Sequence, residues 1–286
     1  MKTAGLFLLI SALAVGVLIM TMPSLRRKAT LLRIFGPSKK RQPEQCDNID
    51  FTVDHIQNKH DNCKGILATA LFVGSGNEDR FEGKYLLPLL KFNETLRRNV
   101  GSFAKSWYYR VYIPQDFPEK AKTLLLNADI EVAVLKSKNH KYLGTLWRFL
   151  PLFGNDPFLC CDSDSNDYMA EWDKIEKWYQ SNNTFFHRKV AVINSLWPVS
   201  AGSWGCKPKS LSSKVKSQLK TQLTELAKTC TDFGCDELYL KKFVYPLFFQ
   251  YGVEKHKVYV WVEVVFILVI ALVVLTTLKQ RTYRST

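Results

Sequence analysis

An α/β domain with a largely parallel sheet is predicted by the alternation of two kinds of segment along this chain. Short apolar runs read as buried strands, and between them lie longer segments whose apolar residues recur at helical spacing. A further feature agrees. Two of the apolar runs end abruptly in polar, turn-forming residues, GSGNEDR at 74–80 and DSDSND at 162–167. In open α/β sheets such strand ends border the ligand crevice.

Residues 65–73 (GILATALFV) form the first predicted strand, with a turn at Gly74-Ser75-Gly76-Asn77. Residues 84–99 have helical spacing. Residues 107–113 are rich in aromatic and β-branched side chains and are expected to stop at Pro114, which cannot donate to a ladder. Residues 119–128 read as a helix with Asp116 as its cap, 130–135 as a strand, and 142–153 as an amphipathic helix. Residues 157–161 are the strand that leads into the acidic cluster. Trp172, Ile175 and Trp178 mark a helix over 168–180, and 184–193 hold a short strand. Residues 197–208 read as a Gly/Trp/Pro-rich loop, after which 213–229 and 237–251 close the domain as helices.

Two apolar runs flank these elements. Residues 3–25 carry no charge, and residues 258–278 carry only Glu263. Each is long enough to cross a bilayer of about 30 Å. The second is expected to be a transmembrane helix. The first is expected to be a signal-anchor or a cleavable signal peptide: Lys2, Ala12 and Ala14 fit cleavage, and the continuation of the run to Met20 fits an anchor. The plan is then an N-terminal span (1–25), a basic stalk (26–45), the α/β domain (46–257), a C-terminal span (258–278) and a basic tail (279–286).

The net charge of +14 belongs mostly to the flanks. Arg26, Arg27, Lys28, Arg33, Lys39, Lys40 and Arg41 lie in a stretch with no acid among them, and Lys279, Arg281 and Arg284 lie in the tail. Such juxtamembrane charge suits anionic lipid headgroups, and no nucleic-acid groove is expected within the domain. Basic residues tend to stay cytosolic, yet both basic clusters cannot do so if both spans cross with the domain between them. A cleaved signal peptide, or a hairpin with both termini cytosolic, places the domain in the lumen of the ER or Golgi. Asn93-Glu94-Thr95 and Asn182-Asn183-Thr184 are glycosylation sequons, and Cys46 with Cys63 and Cys230 with Cys235 are pairs that an oxidising lumen would permit.

The chemistry concentrates at DSDSND. Asp162 and Asp164, one residue apart at a strand end, supply hard oxygen ligands of the kind that Mg²⁺ or Mn²⁺ takes while leaving positions free for phosphates. A calcium loop is the alternative, but its sixth position is Asp167 where such loops need Gly, and a strand precedes it. A plain acidic turn capping the next helix is the other alternative.

The order of short motifs then carries a resemblance. Arg148-Phe149-Leu150-Pro151 precedes DSDSND, which is followed by Trp178, Phe186-His187-Arg188, Gly202-Ser203-Trp204-Gly205, Asp236-Glu237 and Tyr245-Pro246. Over residues 65–251 this resembles a family of GT-A-fold glycosyltransferases found in large DNA viruses and eukaryotes, with an RxLP, DxD, GxWG order. The chain departs from the family's pattern at Cys161, where the family has Arg, at Lys189 and Val190, and at Glu237, where it has Gln.

The resemblance implies a GT-A-like, Rossmann-like sheet flanked by helices. It also implies a membrane-anchored, metal-dependent transferase that moves a sugar from a nucleotide-diphosphate sugar to a hydroxyl of a glycan, protein or lipid. Asp162 and Asp164 would hold the Mn²⁺ or Mg²⁺. Gly74, Asn77, Asp79, Arg148, Ser163, Gly202, Trp204 and Lys207 would bind the nucleotide sugar: Arg148 or Lys207 by charge on the diphosphate, the Gly202–Gly205 turn by packing on the sugar. Asp236 or Glu237 would deprotonate the acceptor. A non-catalytic membrane protein with a GT-A-like binding domain is the competing class.

Overall fold

The computed structural model describes residues 50–258 apart from 74–77, 99–100, 138–142, 165–167, 169, 191–198 and 231–233. The two apolar runs, the stalk and the tail lie outside the described residues. No helix among the described residues is long and apolar enough to cross a membrane.

The strands are β1 (Val53–Gln57), β2 (Gly65–Ala70), β3 (Trp107–Pro114), β4 (Glu131–Leu135), β5 (Phe158–Cys161), β6 (Phe185–Val190), β7 (Ser203–Cys206) and β8 (Val253–Val258). They form one mixed sheet in the order β1-β4-β3-β2-β5-β7-β6-β8. β4, β3, β2 and β5 are mutually parallel, β7 runs against both β5 and β6, and β8 is parallel to β6. The outer strand β1 runs against β4. Helices cover both faces, which is the α/β sheet the alternation predicts, with a Rossmann-like arrangement of its parallel half.

Alternation along β5 shows how the faces are divided. Phe158 and Cys160 join one buried cluster, with Trp147, Phe149, Trp204 and Phe248, while Leu159 and Cys161 join the other, with Trp107, Trp172 and Trp178. A strand buried on both faces has to read as a continuous apolar run, and FLCC does.

Several elements differ from expectation. The segment Leu143–Phe153 is a 3-10 helix rather than an amphipathic α-helix, and its residues are buried almost throughout. Pro151 lies inside it and removes a backbone donor. The segment is pressed against the end of β2, where a Cβ on Gly144 would come within 2.1 Å of the Phe72 ring. The segment 197–208, read as loop, contains β7. Four residues with a glycine give little strand signal of their own, and their conformation comes from pairing on both sides. The helix Glu119–Asn127 has Pro118, not Asp116, at its N-cap position. The edge strands β1 and β8 were not expected. Helix Tyr245–Tyr251 ends at Gly252, whose φ of 77° is in the left-handed range and turns the chain back into β8.

Cys230 and Cys235 form a disulfide, whereas Cys46 lies outside the described residues. The first sequon is not usable in the folded state, because Asn93 is buried and its Nδ2 donates to the Ala128 carbonyl at 2.6 Å. Asn182 is exposed.

Candidate active site

The strand order reverses at β2. β3 and β4 continue to one side of it and β5 lies on the other. At such a switch point the loops leaving neighbouring strands diverge and open a crevice beyond the carboxyl edge. Asp162 is the first residue past β5, so the acidic cluster emerges at this point. By the alternation along β5 it falls on the face that holds Trp147 and Phe149, the face carrying the 3-10 helix.

That helix delivers Arg148. Its Nη1 donates to Asp162 Oδ1 at 2.6 Å, and its Nη2 lies 4.0 Å from Asp236 Oδ2. The arginine side chain is 9% exposed, that of Asp162 31% and that of Asp236 12%. Burial alone would favour a neutral guanidinium, but the charges of Asp162 and Asp236 outweigh it and hold the group above its ordinary value. Asp236 is pushed the other way. Burial raises its carboxyl, opposed by Arg148 and by the Glu237 backbone N–H that donates to Oδ1 at 2.9 Å.

Glu237 completes the group from the first turn of the helix Cys235–Tyr239. Its Oε1 accepts from the Ala201 backbone N–H at 2.9 Å and from the Ser200 hydroxyl at 3.3 Å. Its Oε2 is buried and has no partner among the described residues. Burial, supplemented by the nearby Asp236 charge and opposed by the Ala201 hydrogen bond, pushes the carboxyl up to about 7. A carboxyl balanced near neutrality, with one oxygen anchored and the other without a partner, is suited to accepting or giving a proton.

Gly202 closes the site from the turn into β7. A Cβ there would come within 2.5 Å of Asp162 Oδ2 and 2.6 Å of its Cγ. Only hydrogen leaves room for the carboxylate in its Arg148-bound position. Gly202→Ala should therefore displace Asp162 while leaving the backbone intact. We expect a loss of activity of about tenfold or more, the reach of a misplaced reacting group, with little change in melting temperature. Steady-state rates and thermal denaturation of the same preparation read the two effects separately.

Asp162 and Asp164 are both partly exposed, with Ser163 buried between them. Both carboxylates thus lie at the end of β5, and neither is buried. Arg148 faces both Asp162 and Asp236, and the carboxylates of Asp162 and Asp164 offer hard oxygen donors at the end of β5. This donor set fits Mg²⁺ or Mn²⁺. Among the described residues no group of three or more His, Cys, Asp or Glu is placed to hold a metal ion. A cation at Asp162 and Asp164 would therefore draw further ligands from phosphate and water.

Two expected donor-binding residues lie elsewhere. Lys207 follows Cys206, which pairs with Phe158 at the start of β5. The reversed direction of β7 thus puts Lys207 at the opposite edge of the sheet, roughly 16 Å from Asp162 at about 3.3 Å per residue. There its Nζ donates to the carbonyls of Trp178 and Ser181, at the end of the helix Trp172–Gln180. Trp204 is fully buried, packed between Phe149 and Phe158, and offers no face to a sugar. His187 is buried near Phe248 as a packed polar residue. Gly74 and Asn77 lie outside the described residues, as does the side chain of Asp79, whose backbone is in the short helix Glu78–Phe81.

Two contributors escaped the sequence reading. The Ala201 backbone N–H that anchors Glu237 carries no signal in a side chain. Tyr168 donates its hydroxyl to the Cys160 carbonyl at 2.6 Å, and to that of Trp204 at 3.2 Å. It ties the far end of the acidic loop to β5 and β7. A buried tyrosine needs a partner for its hydroxyl, which is the signal that could have found it.

No protein-family model matches the chain, and no curated protein matches it. Among solved structures the chain is similar to 4-diphosphocytidyl-2C-methyl-D-erythritol synthase from Anaerococcus prevotii. That likeness has 13% identity and a TM-score of 0.38, over 68% of this chain and 87% of the other. A cytidylyltransferase from Leptospira borgpetersenii is similar at 16% identity and a TM-score of 0.33, over 68% of this chain and 76% of that one. These likenesses are distant, and the functional reading rests on the site's own geometry.

Proposed function

We propose that the protein is a membrane-anchored, metal-dependent glycosyltransferase, moving a sugar from a nucleotide-diphosphate sugar to an acceptor hydroxyl. The observation that carries this reading is the convergence of Arg148, Asp162, Asp236 and Glu237 at the switch point of the sheet. The mixed sheet, in which β1 and β7 run against their neighbours, agrees with the GT-A resemblance, and Arg148, Asp162, Asp236 and Glu237 all belong to its motif order.

Each residue then has a task. Asp162, fixed by Arg148, and Asp164 would hold Mn²⁺ or Mg²⁺ at the strand end. When bound, the ion supplies charge neutralisation for the leaving diphosphate. Arg148 sets the position of Asp162 and Asp236 and lowers the negative charge of the crevice toward an anionic donor. Glu237 would take the proton of the acceptor hydroxyl as that oxygen bonds to the anomeric carbon and the nucleoside diphosphate leaves. Asp236, more deeply enclosed and facing Arg148, is better suited to positioning than to proton transfer.

The test is thermal stabilisation by a panel of nucleotide sugars and nucleoside diphosphates, with and without Mn²⁺, followed by turnover of any donor that stabilises. Donor-dependent stabilisation should need Mn²⁺, and Asp164→Ala should abolish both that dependence and turnover. Turnover unaffected by Asp164→Ala would remove the metal role. Stabilisation by no donor and no diphosphate would favour a binding domain without catalysis.

A further inference from the structure

The two ends of the described chain lie on one edge of the sheet, and it is the edge that bears the site. β8 is parallel to β6, with Val258 opposite Val190. β6 and β5 both pair against β7, so β6 runs in the same direction as β5. Val258 therefore ends β8 at the carboxyl edge, level with the residues that follow Cys161. Three strand spacings separate β8 from β5, roughly 14 Å. At the other side of the sheet β1 is antiparallel to β4, and its first residue, Val53, faces Leu135 at the end of β4. The chain thus enters the domain at this same edge.

The sequence gives that shared edge a meaning. The apolar run 258–278 begins at the very residue where β8 ends, with no spacer between them. If this run spans a bilayer, the carboxyl edge cannot stand far from the membrane surface.

We propose that the carboxyl edge of the sheet is the membrane-facing surface of this protein, apposed to a lipid bilayer. The crevice at Asp162 then opens at the headgroup plane. Resting on the sugar-transfer reading, this makes the acceptor a hydroxyl borne by a membrane lipid.

The test uses the full chain in bilayer nanodiscs that contain a lipid with a nitroxide-labelled headgroup. A bimane fluorophore is placed on Lys136→Cys, just past β4 at the carboxyl edge, or on Gln250→Cys, near the end of the helix Tyr245–Tyr251 at the opposite edge, in a Cys46→Ser, Cys63→Ser background. Both positions are exposed. Quenching is expected to be several-fold stronger at position 136 than at 250. Equal quenching, or stronger quenching at 250, would overturn the orientation. Donor turnover and extraction of labelled sugar into the organic phase are followed on the same discs. Absent turnover with position 136 quenched would remove the sugar-transfer reading and leave the orientation supported. Transfer only to soluble glycan or protein would overturn the lipid acceptor.

Discussion

Glu237→Gln is expected to lower turnover by about 10²–10⁴-fold, the usual contribution of a positioned proton acceptor. The amide is nearly isosteric and can still accept from the Ala201 N–H, so binding of a donor should be largely preserved. The pH profile should change with it. With the Glu237 carboxyl near 7, the wild-type rate should rise through about pH 7 as the group ionises, and the variant should lack that limb. Stability should move the opposite way. The carboxyl is raised from an ordinary 4.5 to about 7, so the folded protein holds its proton more tightly than the unfolded chain does. Burial of the ionised group therefore costs nothing below the ordinary value, costs progressively more as pH rises between the two, and costs most above about 7. Glu237→Gln should be more stable than wild type at pH 8, by on the order of 1–3 kcal/mol, and similar to it near pH 4. Denaturant midpoints at the two pH values read the sign directly. A variant with full turnover would remove Glu237 as the base.

Arg148→Met should have the largest effect on the fold. The methionine fills much of the same buried volume but leaves Asp162 and Asp236 facing each other without a cation. Breaking a buried pair from one side costs about 3–5 kcal/mol, because the charge left behind is uncompensated. Arg148 is what opposes the upward push on the Asp236 carboxyl, so its loss should raise that carboxyl further. The deficit should accordingly be greatest at neutral pH and shrink in acid, as the Asp236 carboxyl takes up a proton. Adding Asp236→Asn should recover part of the lost stability at neutral pH, but not activity. Chemical denaturation of the single and double variants across pH gives the coupling; a single variant as stable as wild type would mean that the arginine is not what holds the two carboxylates together.

The sequence made some of this legible for clear physical reasons. FLCC had to be a strand buried on both faces, and the carboxylates that end it had to lie at a strand mouth. The motif order placed Arg148 near the acidic cluster but assigned it to a donor diphosphate, whereas the structure puts its guanidinium 2.6 Å from Asp162. What stayed hidden depends on strand direction. Lys207 and Gly202 flank the same four-residue strand, and nothing local says that Gly202 meets Asp162 while Lys207 lies at the far edge. Only the antiparallel pairing of β7 with β5 decides that. Trp204 was misread for the same reason: once SWGC is a central strand, its indole must enter the core. The 3-10 form of Leu143–Phe153 was hidden too, because its apolar spacing suits an α-helix and its geometry is set by Pro151 and the contact of Gly144 with Phe72.

β1 and β8 close the two sides of the sheet, and both come from the ends of the described chain. A soluble fragment made for crystallisation must therefore begin ahead of Val53 and retain Val258. Trimming back to Gly252 would strip β6 of a partner along six residues and leave its backbone open to another copy. The last strand meets the apolar run with no margin between them, so any cut that removes the whole run and keeps the whole strand has to fall within a residue or so of position 258.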